Sequence, residues 1–234
     1  MFGPIGTTEY DLNFRTLGFP TRVHPSFWLV AIVMQWELTY YDPMFLLVYI
    51  AAWFVTVLIH ELGHALMSRF YGYPCEIVLL YCGGFVQYAP HRHTTWRAVS
   101  IAFAGPAVNL LSLVPWSLSL WALQLPVGTW GMATTVGYGY LAVFVAYLYG
   151  ISLWLAILNL LPVYPLDGGC ISRSLFERFA PIRGTEYSLK LSIVVAVGVA
   201  AWAISWRIND LAVLFGFLAY MNVQELRGLS YRRW

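Results

Sequence analysis

From Met44 to Ile59 the chain runs Met-Phe-Leu-Leu-Val-Tyr-Ile-Ala-Ala-Trp-Phe-Val-Thr-Val-Leu-Ile without a charge, and the segment it opens extends to Phe70. About 20 apolar residues, rising ~1.5 Å each as a helix, cross a hydrocarbon core of about 30 Å, so this run predicts a membrane-spanning helix. Comparable stretches predict further spans at Ser26–Tyr41, Trp96–Leu123, Tyr138–Leu161, Leu191–Trp206 and Leu211–Val223. The first of these is short and contains Glu37, and the last two are short as well. Pro106 and Pro115 fall inside the third span, where membrane helices tolerate them. The segments between the spans read differently. Met1 to His24 is polar, with turn signals at Gly3-Pro4 and Gly18-Phe19-Pro20 and a strand expected around Leu12–Leu17. Over Tyr73–Tyr88, β-branched and aromatic residues flank Gly83-Gly84, which predicts a β-hairpin. Gln124 to Gly137 is a Gly/Thr/Pro loop. Pro162 and Pro165 end the fourth span just before Asp167-Gly168-Gly169, and Ser172–Phe179 reads as a short surface helix. The pattern carries no internal repeat. It predicts an all-α integral membrane protein of about six transmembrane helices, with a small membrane-associated β-hairpin after the second, in a single domain over 1–234.

Composition agrees. The chain is 60% hydrophobic and 10% charged, against about 25% charged in soluble domains, and its mean hydropathy is +0.67. Eleven Trp and sixteen Tyr suit the membrane interface as anchors. A net charge of +2 gives no ground for nucleic-acid binding. Cys75, Cys82 and Cys170 make no disulfide framework; Cys75 and Cys82 would pair only in an oxidising compartment, and reduced thiols are expected. The first 24 residues show no basic region followed by an apolar core, so no cleavable signal peptide is expected. With six spans, twelve of the thirteen Lys and Arg fall on one side of the membrane, leaving only Arg207 on the other. The positive-inside rule then makes both termini cytosolic.

The chemistry sits near the end of the second span, at His60-Glu61-Leu62-Gly63-His64. Four residues apart on a helix, two imidazoles share one face, and the glutamate after the first is the general base of zinc peptidases. His60 lies roughly 24 Å along its helix from Met44, toward the cytosolic edge of the core. A packed, hydrogen-bonded histidine is the ordinary alternative, but two His and a Glu within five residues of an apolar span are costly and point to function. Catalytic zinc takes three protein ligands and an open position for water, whose pKa it lowers to about 7. Asp167 follows the fourth span, which runs parallel to the second and ends on the same side, so it is placed to be the third ligand. Pro-x-Asp-Gly is equally an ordinary turn sequence, and both readings of Asp167 stand. The alternative function is a divalent-metal membrane transporter, which would show repeats or polar groups at several depths. A bis-His haem site is disfavoured, since both His lie one turn apart on one helix.

The residues resemble the site-2 protease family of intramembrane zinc metalloproteases. The match rests on His60-Glu-Leu-Gly-His64, Ala104-Gly-Pro-Ala-Val-Asn109 and Asn159-Leu-Leu-Pro-Val-Tyr-Pro-Leu-Asp-Gly-Gly169, in the family's order, with a catalytic core over about 44–175. The resemblance implies that His60, His64 and Asp167 bind Zn2+, that Glu61 activates water, and that Asn159 holds the substrate backbone or the developing oxyanion. A structural hydrogen bond is the alternative role for Asn159. Asn109, with Gly105 and Pro106, reads as a core packing position. The hairpin resembles the family's membrane-associated strands, and either offers an edge to an unwound substrate or is a plain surface hairpin. Family members commonly carry Arg after Asp-Gly-Gly, where this chain has Cys170; a buried free thiol is expected there. His91 and His93 read as a solvated loop. The implied activity is hydrolysis of a peptide bond within or near a transmembrane segment of a membrane-spanning or membrane-tethered protein, in the lipid bilayer. No stretch is long enough for an inserted PDZ-type or nucleotide-sensing module, so help with substrate selection would come from an accessory or regulatory protein.

Overall fold

A computed structural model describes residues 7–40, 42–81, 83–88, 94–125 and 139–231. It forms two compact units, one of Met1–His91 with Ala107–Ala156, the other of Arg92–Pro106 with Ile157–Trp234. The structure is mostly helical and contains one small sheet.

In the first unit the sheet has four strands in the order β1 (Leu12–Thr16), β2 (Phe19–Val23), β3 (Cys75–Leu80) and β4 (Gly83–Tyr88). The expected strand near Leu12–Leu17 and the hairpin at Tyr73–Tyr88 are both present, but they belong to one sheet. β2 joins them by pairing in parallel with β3, Thr21 opposite Ile77 and Val23 opposite Leu79. Pro20 lies in β2 just before that ladder starts, where its missing N–H breaks no bond to β3. The chain reverses between Leu80 and Gly83, so the Gly pair opens β4 and does not form the turn. Cys82, and with it any pairing to Cys75, lies outside the described residues.

The crossover from β2 to β3 runs through α1 (Pro25–Met34), a 3-10 turn over Trp36–Tyr40, and α2 (Pro43–Phe70). At ten residues α1 is about 15 Å long, well short of the core it was expected to cross as part of Ser26–Tyr41. Asp42 caps α2 by accepting from the Met44 N–H at 2.9 Å, with Pro43 in the first turn. The helix ends at Phe70 with Tyr71 as its C-cap, and Gly72 follows at a φ of +77° that suits glycine. Phe27, Val57, Ala65, Ile77 and Leu79 form the apolar core between α1, α2 and the sheet. Full burial of each large side chain contributes about 1.5–3 kcal/mol. β3 is buried on both faces from Ile77 to Leu80, so the sheet is held firmly against α2.

α3 (Thr95–Ala122) and α4 (Tyr140–Leu160) match the expected third and fourth spans. In the second unit follow α5 (Asp167–Phe179), α6 (Gly184–Ser205) and α7 (Asn209–Tyr231), with Val163, Ala196, Phe215 and Leu218 at its core. α5 starts at Asp167, earlier than the Ser172 expected from sequence. Among the described residues, α2, α3, α4 and α6 are long and apolar enough to cross a membrane. α7 has the length but carries Asp210, Asn222, Gln224, Glu225 and Arg227. Of the six spans expected, these four stand on length and composition.

Candidate metal centre

The HExxH turn lies in the C-terminal half of α2, with His60, Glu61 and His64 all buried. The helical spacing of four stacks the two rings edge to face, their centroids 4.8 Å apart. It brings His60 Nε2 and His64 Nε2 to 3.2 Å of each other. Two such nitrogens would each sit about 2.0–2.1 Å from a zinc ion and subtend an angle of about 100° there, near the tetrahedral value. The donor pair therefore fits that ion.

The sheet frames this turn from one side. The Cys75 thiol of β3 donates to the Ala65 carbonyl at 3.7 Å. A Cβ on Gly84 of β4 would lie 2.4 Å from Glu61 Cγ and 2.6 Å from its Cδ and Oε1. Glycine at 84 lets β4 approach the Glu61 carboxylate this closely, where any side chain would push one of them away. Arg69, at the end of α2, lies 3.4 Å over the Phe19 ring and donates to the Leu17 carbonyl at 3.0 Å, which ties the β1–β2 turn to the same helix. From α3, the side-chain amide of Asn109 approaches His60 Nδ1 at 3.3 Å, and the residue is fully buried.

Asn159 and Asp167 belong to the second unit, Asn159 in the last turn of α4 and Asp167 as the first residue of α5. A carboxylate is favoured at that helix start by the exposed N–H groups and the helix dipole. Gly168 and Gly169 serve close packing here: a Cβ on either would come within 2.3 Å of backbone atoms in the segment Leu160–Tyr164. The segment leading to Asp167 is held from α6 and α7. The Tyr164 N–H donates to Ser192 Oγ at 3.1 Å, and Asn222 Nδ2 donates to the Tyr164 carbonyl at 2.6 Å. Burial, with the Asp167 charge adding to it, pushes the Cys170 thiol up to about 11, which disfavours a reactive thiolate near neutrality. Its Sγ instead donates to the Pro165 carbonyl at 3.7 Å. His91 and His93 lie outside the described residues.

The first unit thus gathers His60, Glu61 and His64, and adds two residues the sequence reading had used otherwise. The sequence offers Asn109 as a core position and Gly84 only as one of a glycine pair in the hairpin. A lone amide on an otherwise apolar span was the available signal for Asn109. Gly84 had none, because its role depends on a contact across more than twenty residues of chain.

Comparison with known proteins gives a consistent picture. A relative from Synechocystis sp. is 30% identical over 171 residues, which is 73% of this chain and 39% of the relative. The zinc metalloprotease MJ0392 of Methanocaldococcus jannaschii is 23% identical over 91% of this chain and 59% of its own length. Stage IV sporulation protein FB of Bacillus subtilis is 27% identical over 90% of the chain and 67% of its own length. The chain therefore spans about two fifths to two thirds of these relatives. Its fold is similar to that of a site-2 protease from M. jannaschii, at a TM-score of 0.60 and 24% identity, covering 93% of this chain and 95% of that one. The model of peptidase family M50 matches residues 48–125 and 113–201, more than half of the sequence, and the chain belongs to that family, the site-2 protease family.

Proposed function

We propose that this chain is an intramembrane zinc metalloprotease that cleaves a membrane-spanning or membrane-tethered protein within or near its transmembrane segment. The observation that carries the proposal is the convergence of His60 and His64 Nε2 at 3.2 Å beside the buried Glu61, within a helix apolar enough to cross a bilayer. His60, His64 and Asp167 would hold zinc, the three-ligand donor set of a catalytic rather than a closed structural site. Zinc bound there supplies Lewis acidity, which brings the pKa of a water toward about 7. Glu61 would be the base that takes a proton from the attacking water and hands it on to the leaving amine. Gly84 keeps β4 close against Glu61 and so fixes where the carboxylate stands. Asn159, a neutral amide donor, steadies the oxyanion that develops on the scissile carbonyl. The substrate helix must unwind locally for its backbone to be attacked, and the edge of β4 offers an extended segment main-chain partners.

The proposed topology has six membrane-embedded segments: the four long apolar helices, α1 with its following turn, and α7. Counted on these six segments, the Lys/Arg asymmetry supports a topology with both termini and the active site toward the cytosol. The family assignment supports this reading over a divalent-metal transporter. The test is co-expression in a common membrane background of wild type and Glu61→Gln, with quantitative profiling of newly formed protein termini. Fragments that start within or beside single-span segments should accumulate with wild type and be absent with Glu61→Gln. Identical profiles would refute the proposal.

A further inference from the structure

The two nitrogens of His60 face different partners. Nε2 faces His64 Nε2 at 3.2 Å, while Nδ1 faces the side-chain amide of Asn109 at 3.3 Å. A neutral imidazole carries one N–H, and a ring that offers its Nε2 lone pair to a metal must carry that hydrogen on Nδ1. An N–H in a buried site needs an acceptor, since desolvation without a partner destabilises it. Asn109 is 0% exposed, and its Oδ1 has no hydrogen-bond partner among the described residues. Turning the amide over exchanges its nitrogen and oxygen without changing its shape, and places that oxygen opposite His60 Nδ1.

We propose that Asn109 is a positioning residue for the metal site: its Oδ1 accepts a hydrogen bond from His60 Nδ1–H, fixing the tautomer and the orientation of the ring. The inference rests on the zinc reading of His60 and His64. It assigns to α3 the outer support of a ligand carried on α2, the kind of support that commonly raises metal affinity. It also accounts for an amide at a fully buried place, where an apolar side chain of equal size would serve packing alone.

The test reads zinc affinity, by competition with a chromogenic chelator in detergent, for wild type, Asn109→Leu and Asn109→Asp. Leucine keeps the volume and removes the acceptor, so affinity should fall about 10- to 100-fold. Aspartate keeps an acceptor and should return to within a few-fold of wild type. Folded Asn109→Leu with wild-type affinity, or Asn109→Asp as weak as Asn109→Leu, would overturn the inference. A readout on the wild type does not depend on how the variants fold. In zinc-loaded protein labelled with 15N-histidine, His60 should show a protonated Nδ1 and a metal-bound Nε2. Metallation through Nδ1 would overturn the inference with zinc binding intact. Wild type that binds no zinc would instead overturn the proposed function, on which the inference depends.

Discussion

Replacing Gly84 with alanine tests how closely β4 holds the proposed general base. The new Cβ would stand 2.4 Å from Glu61 Cγ and 2.6 Å from Cδ and Oε1. Carbon atoms in contact rest about 3.5–4.0 Å apart, so the carboxylate must retreat by about 1 Å or the strand must move outward. Gly84 itself lies outside the left-handed region, which here holds Gly83 at φ +109°, so alanine at 84 strains contacts and not its own backbone. A reacting group displaced by 1 Å costs up to about 100-fold in rate, or about 2.7 kcal/mol in the barrier. The three atoms nearest to the built Cβ all belong to Glu61, so the histidine pair should keep its geometry. The assay is single-turnover cleavage of a substrate found by terminal profiling, with zinc content measured on the same preparation. Gly84→Ala should cleave 10- to 100-fold more slowly while retaining its zinc. Gly83→Ala serves as a contrast: nothing lies within 4 Å of its Cβ, so its cost should fall on stability. Cleavage by Gly84→Ala within about twofold of wild type would refute the reasoning, and so would a rate loss that merely follows loss of zinc.

Two further outcomes are expected. Asn222 is buried and donates to the carbonyls of Tyr164 and Leu218 at 2.6 and 2.7 Å, so Asn222→Leu should cost about 1–3 kcal/mol in thermal or denaturant unfolding. If the Tyr164 segment positions Asp167, zinc content should fall with it. At the N-terminal hairpin, the Thr8 hydroxyl, helped by the Thr8 N–H and Arg22, holds the Asp11 carboxyl below its ordinary 3.8. A lowered folded value means stability that is present above about pH 3.8 and is lost as the pH falls through the folded value. Hydrogen exchange across 12–23 should therefore accelerate in that acid window for wild type, and Asp11→Asn should flatten the response.

Much of this was legible in the sequence because the membrane simplifies the physics. Runs such as Met44–Phe70 and Trp96–Leu123 must be helices, since their backbone groups find no other partners in hydrocarbon, and their bounds came out within a residue or so. HExxH was legible because its geometry is local to one helix. The sheet was only half legible: β1 and the β3–β4 hairpin announce themselves locally, but β2 pairs with β3 across some fifty residues, and Pro20 argues against a strand until the ladder is seen to begin beyond it. α1 looked like a span because its residues are apolar all round, whereas much of that apolarity is used against α2 and the sheet, where Phe27 is buried. Pro-x-Asp-Gly allows a turn as well as a ligand at Asp167; in the structure the residue opens α5, and Gly168 and Gly169 let that helix start against the backbone of Leu160–Tyr164. Asn109 is buried in the core as its sequence position suggests, but its approach to His60, like that of Gly84 to Glu61, joins two separate elements and leaves no local mark in the sequence.

The central claim is a zinc site whose glutamate performs hydrolysis. Its most direct test measures zinc per chain and cleavage rate in the same detergent preparations of wild type, His60→Ala, Asp167→Ala and Glu61→Gln. The account predicts about one zinc per chain in wild type and Glu61→Gln, loss of zinc in both ligand variants, and cleavage by wild type alone. Folded, chelator-free wild type without zinc, or Glu61→Gln cleaving at the wild-type rate, would contradict it.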